Sequence, residues 1–375
     1  MEENIYELLR RYEFNRTEPE TLKGLVEEAV KKGEEARREQ EQLRQISRDI
    51  LGELNQAGFI ADVDLGGMEE ITGQCAAGVD GSFQPVGGVG GKWYVPMSCA
   101  LVSFPKGIQD APVVEVDSHI EVIQEEQHRS IHAMSSEKML QVETKAILRW
   151  AMRNEVSTLF IDGPIVDPPL CDQNDYVEYR CKAIKECLKR NITVVGCVKR
   201  AKDVHLKGYL QSKVLQQPNQ QSRLKRFPTD LQLVAFLFAH CWRQGGRQEK
   251  GIYSRPVDVS GATQVYRLYR DHGVRIFSTF VQKNVGQQIL RLDLPFAEAM
   301  LSDEKDLSRH CTEAVRRTFA WSYPQHNIPL PIFIAHSKCE IRKGCAEVLY
   351  QEILTSTRTT EPIDQIVALQ LEARL

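Results

Sequence analysis

Several marks of membrane and secreted proteins are missing from this chain of 375 residues. Its longest apolar runs, such as 233–239 and 329–335, are far shorter than the ~20 residues that cross a bilayer. The N-terminal sequence is acidic and amphipathic and contains no apolar segment typical of a signal peptide. We therefore expect a cytoplasmic protein that does not associate with membranes.

Cysteine motifs and an excess of one charge are missing as well. No two of the ten cysteines form a C-x-x-C pair, which argues against a zinc ribbon or a thioredoxin-type redox motif. The 48 basic and 51 acidic side chains give a net charge of -3. This balance neither requires nor excludes a nucleic-acid partner, so only local clusters of charge are informative.

The composition that remains is globular, 42% hydrophobic and 26% charged, and the length allows one large domain or two. Apolar residues recur at helical spacing in residues 1–58, which predicts two or three helices. We interpret this segment as a helical arm or partner surface. A helical hairpin packed on the main domain fits the pattern equally well. Residues 59–375 then form the main domain.

The main domain begins with three β-rich runs and continues with alternating helices and buried strands. The β-rich runs predict an antiparallel meander. The strand–helix–strand order that follows predicts parallel pairing through a right-handed crossover. We therefore expect an α/β fold with a mixed β-sheet flanked by helices. The predicted elements are β-rich runs at 75–86, 92–104 and 113–123, a helix over 135–153, a strand over 157–165, a helix over 176–190 and a strand over 192–198.

The rest of the domain gives a less regular pattern. The polar, Gln-rich stretch 211–228 predicts a surface loop or insertion. Two β-like runs follow, at 264–281 and 287–295. The last predicted elements are a helix over 306–321, an apolar run at 328–336 and a final helix over 337–354.

Two aspartates lie in unusual surroundings. Asp80 lies inside the apolar run AAGVDGSF, and Asp162 ends the apolar strand TLFIDGP. Carboxylates in such places are usually paired or bound to a cation, because burying an unpaired charge is costly. Each is followed by Gly, and Asp-Gly is also a common turn dipeptide. Two such pairs at the ends of neighbouring strands in one sheet favour a shared metal site.

A helix and a late apolar run add further candidate ligands. Glu143 lies on a largely apolar face of the 135–153 helix, where a carboxylate needs a partner. Its competitor is Glu137, which we place in the first helical turn, where the helix dipole accounts for it. His336 ends the run IPLPIFIAH. Such a histidine is more often a core residue, and it becomes a ligand only if the carboxylates converge near it.

The candidate ligands supply mainly hard oxygen donors, with one nitrogen. They are Asp80, Glu143, Asp162 and His336. The set suits Mg2+ or Mn2+, and the histidine favours Mn2+. One or two such ions at a phosphodiester would activate water and neutralise the developing charge. Three strands, a helix with a glutamate and a strand with a terminal aspartate also follow the order of the ribonuclease-H-like nuclease fold.

Two other motifs are weaker. GGVGGK at 87–92 is not a P-loop, because Val86 stands where the first Gly belongs and Trp93 replaces the residue that binds magnesium. A hairpin between two strands is the better interpretation. His336 and Cys339 have the spacing of a zinc-ligand pair, but no second pair completes a tetrahedral site.

The sequence resembles the NurA nuclease family from about Cys75 to Leu354. The segments that carry the resemblance are AGVDGSF, VETKAILRWA, LFIDGPI, VVGCVK and PLPIFIAHSKCEIRK. The resemblance implies a ribonuclease-H-like nuclease domain at 59–375, with manganese-dependent exonuclease and endonuclease action on DNA and processing of 5′ ends. It also implies a homodimer that works with a HerA-type hexameric ATPase translocase, in DNA repair or antiphage defence.

The resemblance also assigns roles to single residues. Lys199, in the G-x-x-K element, is implied to contact phosphate or the active site. Ile328 stands where archaeal members often have a tyrosine, and Tyr323 lies nearby but out of register. Metal-ligand and catalytic roles are implied for Asp80, Glu143, Asp162 and His336, the last as a ligand or an acid–base group.

Local clusters of basic residues favour DNA as the substrate. Aromatic residues do not interleave with these clusters, so we expect binding to the backbone, independent of base sequence. Each cluster alone is more often a solvated face. The clusters are Lys199, Arg200 and Lys202 in the segment KRAK, the segment RLKR at 223–226, and the pair Arg316–Arg317.

Two other classes of function stay open. A non-catalytic DNA or translocase adaptor could keep the fold, but it would not need all four ligand residues. A phosphatase or another small-substrate phosphohydrolase could use the same ligands, but it would not need the basic clusters. The chain has no ATPase motif, so any energy-driven movement along DNA must come from a partner.

Overall fold

The computed structural model describes residues 19–87, 92–124, 129–166, 174–215, 218–244, 250–298, 301, 304–323 and 327–356. The strands are β1 (Ile60–Asp64), β2 (Ala76–Phe83), β3 (Val86–Gly87), β4 (Lys92–Phe104), β5 (Val113–Gln124), β6 (Thr158–Asp162), β7 (Thr193–Val198), β8 (Lys250–Ser254), β9 (Val257–Asp258), β10 (Val274–Gln282) and β11 (Leu290–Ala297). The helices are α1 (Pro19–Gln56), α2 (Met68–Thr72), α3 (Ile131–Ala151), α4 (Asn174–Lys189), α5 (His205–Tyr209), α6 (Pro218–Leu224), α7 (Asp230–Arg243), α8 (Gln264–Asp271), α9 (Glu304–Trp321), α10 (Leu330–Cys339) and α11 (Lys343–Ser356). None of these helices combines the length and the apolar character that a bilayer-crossing helix needs.

The described strands form one mixed sheet. Their order is β1-β8-β10-β11-β7-β6-β2-β4-β3, with β5 paired to β4 and β9 paired to β10. β2 and β6 are parallel, as are β6 and β7, and the other pairs are antiparallel. The predicted meander consists of β2, β4 and β5, and α3 and α4 connect it to the parallel strands β6 and β7. The expected mixed sheet flanked by helices is confirmed.

Alternate residues of β2 face helices on opposite sides of the sheet. Ala77 and Val79 belong to the hydrophobic cluster that contains the apolar face of α3, and Ala76 belongs to the cluster that contains α10. Gly78 faces α10 so closely that a Cβ there would lie 2.4 Å from the carbonyl carbon of Pro331. α10 therefore rests directly on the backbone of β2, which fixes the height of the helix along the strand.

The N-terminal arm is one continuous helix from residue 19 to residue 56, and residues 1–18 lie outside the described part of the chain. The last third of α1 packs on α7 and buries Leu43, Ile50 and Leu54. The preceding two-thirds are almost wholly exposed, with Leu25 60% accessible to solvent. The arm is thus anchored in the core at its C-terminal end and projects from it at the other end.

Three assignments in the second half of the domain are wrong because short helices were not recognised. The predicted loop 211–228 contains α6 and a π-helical turn, Leu210–Val214. Residues 264–271 form α8 instead of a strand, since Thr263 caps a helix there by accepting a hydrogen bond from the backbone of Tyr266. The apolar run at 328–336 and the predicted final helix are two helices, α10 and α11, separated by the turn 340–342.

α3 begins four residues earlier than the sequence predicted. Ser130 is its N-cap, and the Ser130 hydroxyl accepts a hydrogen bond from the backbone N–H of Ala133 at 3.2 Å. Glu137 therefore lies in the second turn and is buried, so the helix dipole does not account for it. Its carboxylate forms an ion pair with Arg129 instead, at 2.5 Å.

The contact between β2 and α10 predicts a large effect of a single methyl group. In Gly78→Ala the new Cβ would overlap the backbone of α10, which cannot rotate away as a side chain can. We expect a loss of about 1–3 kcal/mol in the free energy of unfolding, measured by urea denaturation. The control Gly24→Ala, in the exposed part of α1 with open space around it, should gain about 0.5–1 kcal/mol. A neutral Gly78→Ala would contradict this packing.

Candidate metal centre

Two aspartates lie side by side where β2 and β6 pair in parallel. Val79 is opposite Ile161 in the register, so Asp80 and Asp162, which follow them, are neighbours. Both point to the α10 side of the sheet, because each lies two residues after a residue on that face, Gly78 and Phe160. One ligand atom of each aspartate and a ring nitrogen of His336 all lie within 4.8 Å of one another.

α10 brings His336 to this point. His336 Nδ1 lies 2.7 Å from Asp80 Oδ2, a hydrogen-bond distance, while the imidazole as a whole is 59% exposed. One turn further along, the Cys339 thiol donates to the same oxygen at 3.6 Å. The His336–Cys339 spacing was visible in the sequence, but both residues contact Asp80, and Cys339 acts there as a buried hydrogen-bond donor. No local sequence pattern indicates that contact.

Glu143 approaches from the opposite face of the sheet. It is buried on α3, and a Cβ at Gly81 would lie 2.7 Å from Glu143 Oε1. Cys99 lies opposite Gly81 in the β2–β4 register, and burial and then the Glu143 carboxylate raise the pKa of its thiol. Glu143 is thus beside the residue that follows Asp80, but it is not one of the three residues whose ligand atoms converge. Because Gly81 has no side chain, there is room beside it for the Glu143 carboxylate.

Lys199 is the basic residue that touches the cluster directly. Its Nζ lies 2.6 Å from Asp162 Oδ2, because β7 ends beside β6 and the chain continues for one residue past the end of β7. The Lys199 backbone carbonyl accepts a hydrogen bond from the side chain of Gln288 at 2.7 Å, which holds it in place. The neighbouring cations Arg200 and Lys202 are exposed to solvent.

The other two basic clusters serve as contacts within the fold. Arg223 forms an ion pair with Asp49 at 3.3 Å, and Arg226 donates to Gln42, so RLKR holds α1. Arg316 donates to the backbone carbonyl of Gly66. Arg317 donates to Thr158 at the start of β6 and pairs with Glu313. These arginines are therefore partly neutralised or committed to internal hydrogen bonds.

Ile328, which stands where archaeal NurA members often have a tyrosine, and the nearby Tyr323 both lie next to α10. Ile328 is half-buried against the hydrophobic cluster that contains this helix. The Tyr323 ring stacks on Phe333, with ring centroids 5.4 Å apart. Tyr323 is thus packed against the outer side of α10, and Ile328 supplies no phenol.

The surroundings of Asp80 disfavour its charged form. Burial and the nearby Asp162 carboxylate raise the pKa of Asp80, and the hydrogen bond from His336 and the charge of Lys199 oppose this only in part. Two carboxylate oxygens and one imidazole nitrogen within reach of a single point form a donor set that suits a divalent cation such as Mg2+ or Mn2+. In the described part of the chain, no other group of three such residues converges in this way.

The sequence of the chain matches a known protein family. The family model of the NurA domain, which describes the sequences of that family, matches residues 74–341, more than half of the chain. The chain belongs to the NurA family. The matched range includes β2, α3, β6, β7 and α10, and with them all four candidate ligands. No curated protein matches the sequence of this NurA member.

A solved NurA structure shares the fold of this chain. The NurA nuclease from Sulfolobus solfataricus is 12% identical, with a TM-score of 0.58 over 92% of this chain and 99% of that chain. Endonuclease V from Ciona intestinalis, in complex with inosine-containing DNA, is 11% identical, with a TM-score of 0.36 over 73% of this chain and 87% of that chain. The predicted ribonuclease-H-like order, in which three antiparallel strands are followed by helices and parallel strands, is present in the sheet of this chain.

The raised pKa of Asp80 predicts how the stability of the metal-free protein depends on pH. Below the pKa of an ordinary aspartate, about 3.9, the carboxyl is neutral in both the folded and the unfolded chain. As the pH rises from there towards the folded-state value, stability is lost, because the folded chain holds the proton more tightly. In EDTA, Asp80→Asn should therefore be more stable than the natural chain at pH 7, and the difference should shrink towards pH 4.

Thermal unfolding at both pH values measures this effect. Asp110→Asn, on an exposed turn, removes the same charge and is the matched control, with no difference expected at either pH. If Asp80→Asn is destabilising at pH 7 in EDTA, Asp80 is not a strained carboxylate.

Proposed function

We propose that this chain is a divalent-metal-dependent deoxyribonuclease, with Mn2+ as the preferred ion and Mg2+ as the alternative. The observation that carries the proposal is the convergence of Asp80, Asp162 and His336 at the end of the β2–β6 pair. An acidic pair with one imidazole is the donor set expected of a metal-dependent phosphodiesterase, and the nitrogen donor favours Mn2+ over Mg2+. The structurally similar Sulfolobus protein is itself a NurA nuclease.

Each residue of the candidate site has a separate role in this proposal. Asp80 and Asp162 would hold the ion, with His336 as the exposed third donor on the substrate side. Glu143, behind Gly81, would complete the acidic shell from the α3 face. A bound divalent ion would activate water and neutralise charge on the phosphodiester. Lys199 holds Asp162 in place and supplies a positive charge beside the position of the phosphate.

DNA is the substrate that the surroundings of the cluster favour. Arg200 and Lys202 are exposed next to Lys199, where they could neutralise backbone phosphates. A small phosphate ester would not require cations beyond the immediate site. We therefore place this chain among nucleases that bind the DNA backbone, and we propose processing of 5′ ends in DNA repair or antiphage defence.

Partners follow from family membership. We propose that the chain acts as a homodimer together with a HerA-type hexameric translocase, which supplies the movement along DNA. The exposed part of α1 is our candidate docking surface, because Leu25 and Val30 are exposed there on a helix with no covering element in the described residues. The buried third of α1 belongs to the core and is not available for docking.

The decisive experiment is cleavage of end-labelled DNA by the purified protein with Mn2+, with Mg2+ and with EDTA. Cleavage should require the divalent ion and should disappear in Asp80→Asn. Binding of DNA without cleavage under every metal condition would support the adaptor function instead. Hydrolysis of a chromogenic phosphate monoester but not of DNA would support a small-substrate phosphohydrolase.

The two buried glutamates of α3 should respond differently to the loss of charge. Glu143→Gln removes a carboxylate beside Gly81 and should lower the cleavage rate by at least about 100-fold. Glu137→Gln disrupts the ion pair with Arg129 and should change the rate only a few-fold. Gly81→Ala should reproduce the Glu143→Gln defect, since its Cβ would displace the carboxylate. Equal losses in the two glutamate variants would remove Glu143 from the site.

The structure also sets where the arm can be cut. Deletion of residues 1–42 keeps the buried Leu43, Ile50 and Leu54, so the shortened protein should fold and should still cleave DNA with Mn2+. Stimulation by the translocase and ATP should disappear. Deletion of residues 1–55 removes those core residues and should destabilise the domain, which makes it the structural control. Full stimulation of the 43–375 protein would exclude α1 as the docking surface.

A further inference from the structure

The turn between α10 and α11 is fastened to the strand that carries Asp80. The backbone N–H of Ile341 donates to Ser82 Oγ at 3.1 Å, just beyond Asp80 on β2. The Ile341 side chain packs on the small hydrophobic cluster around Val86 and Ala346. The turn therefore has a fixed position at the end of β2, next to the metal centre.

Three cations project from this region, and we name them the basic turn: Lys338, Arg342 and Lys343. Lys338 is exposed on the last turn of α10, on a different side of the helix from His336 and Cys339, which both reach Asp80. Arg342 and Lys343 are 83% and 77% exposed, so their charged ends are free to move towards a ligand. Nothing in the proposed nuclease mechanism uses them.

Two acidic residues compete for these cations only weakly. Arg342 lies 3.5 Å from Glu340, and Lys343 lies 3.8 Å from Glu347. Exposed ion pairs at such distances contribute little, because water and salt screen them and both side chains lose conformational freedom. A phosphate presented beside the turn could displace either acidic partner.

The metal centre lies between the basic turn and a second set of cations. Lys199, Arg200 and Lys202 follow β7, and the basic turn is fixed at the end of β2. β6, which ends in Asp162, separates these two strands, so their ends are about 10 Å apart, two strand spacings. A polyanion that crosses the sheet edge over Asp80 and Asp162 would meet cations on both sides.

We infer that the basic turn binds backbone phosphates of the DNA strand on the side of the scissile phosphate opposite to Lys199, Arg200 and Lys202. The inference rests on the proposed nuclease function and extends it, since it assigns the second half of the substrate track. The cations on the β7 side hold one flank of the strand, and the basic turn holds the other. The reacting phosphate is thereby positioned over the carboxylates.

The first test combines salt dependence with steady-state kinetics. The triple variant Lys338→Gln, Arg342→Gln, Lys343→Gln should raise KM for single-stranded DNA about tenfold at moderate salt and leave kcat within about twofold. Affinity is measured in a chain that also carries Asp80→Asn, to prevent cleavage. There the slope of log affinity against log salt should fall by about 0.7 for each phosphate that the variant no longer neutralises, or by about 2 in total.

A matched control removes three exposed cations elsewhere on the molecule. The variant Lys182→Gln, Lys189→Gln, Arg270→Gln changes the net charge equally, on α4 and α8. It should leave KM and the salt slope unchanged. Equal effects in the two triple variants would mean that net charge acts at long range, and would overturn the inference. An unchanged KM and slope in the basic-turn variant would overturn it as well.

Neutral DNA linkages test the same interactions from the substrate side, in the natural chain and in the basic-turn triple variant. A single-stranded substrate with methylphosphonates on one flank of the cleavage site should bind less tightly to the natural chain but not to the basic-turn triple variant. The same substitution on the other flank should weaken binding to both proteins equally. Equal weakening for both proteins on each of the two flanks would overturn the inference.

The experiments distinguish failure of the proposed nuclease function from failure of the basic-turn assignment. If the natural chain neither cleaves nor binds DNA with Mn2+, the nuclease proposal is wrong. If it does both, and the basic-turn variant behaves like the natural chain, only the assignment of the basic turn is wrong.

Discussion

The close approach of two helices to opposite faces of one strand is the constraint on which the rest of the structure depends. α10 rests on the backbone of β2 at Gly78, and Glu143 of α3 occupies the space beside Gly81 on the other face. Asp80 lies between these two glycines. Because neither glycine carries a side chain, α10 can bring His336 to Asp80 on one face, and the Glu143 carboxylate can lie beside Gly81 on the other.

Electrostatics explains why this arrangement tolerates its own charges. Asp80 and Asp162 repel each other at the end of two parallel strands, and burial makes ionisation of Asp80 harder still. Each has a compensating partner: Lys199 for Asp162, and His336 with the Cys339 thiol for Asp80. The three side chains of the cluster are thus held in position by contacts within the protein itself.

Much of this could be predicted from the sequence, and the failures have identifiable causes. Asp80 and Asp162 stood out because each interrupts an apolar strand, and the element order from β2 to β7 follows from simple periodicity. α10 was not recognised as a helix, because two prolines and several branched residues obscure its pattern. Pro329 and Pro331 lie at its N-terminal end, where proline is tolerated. The Lys199–Asp162 pair depends on strand neighbours that no local pattern encodes.

The distance along the chain between the parts of the site has a consequence for biosynthesis. His336 and Asp80 are in contact although 256 residues separate them in the sequence. A nascent chain carries Asp80, Glu143 and Asp162 long before α10 has been translated, and contacts of such high contact order form late. The cluster of Asp80, Asp162 and His336 therefore remains incomplete during synthesis, and a ribosome-bound or prematurely terminated chain lacks the helix that completes it.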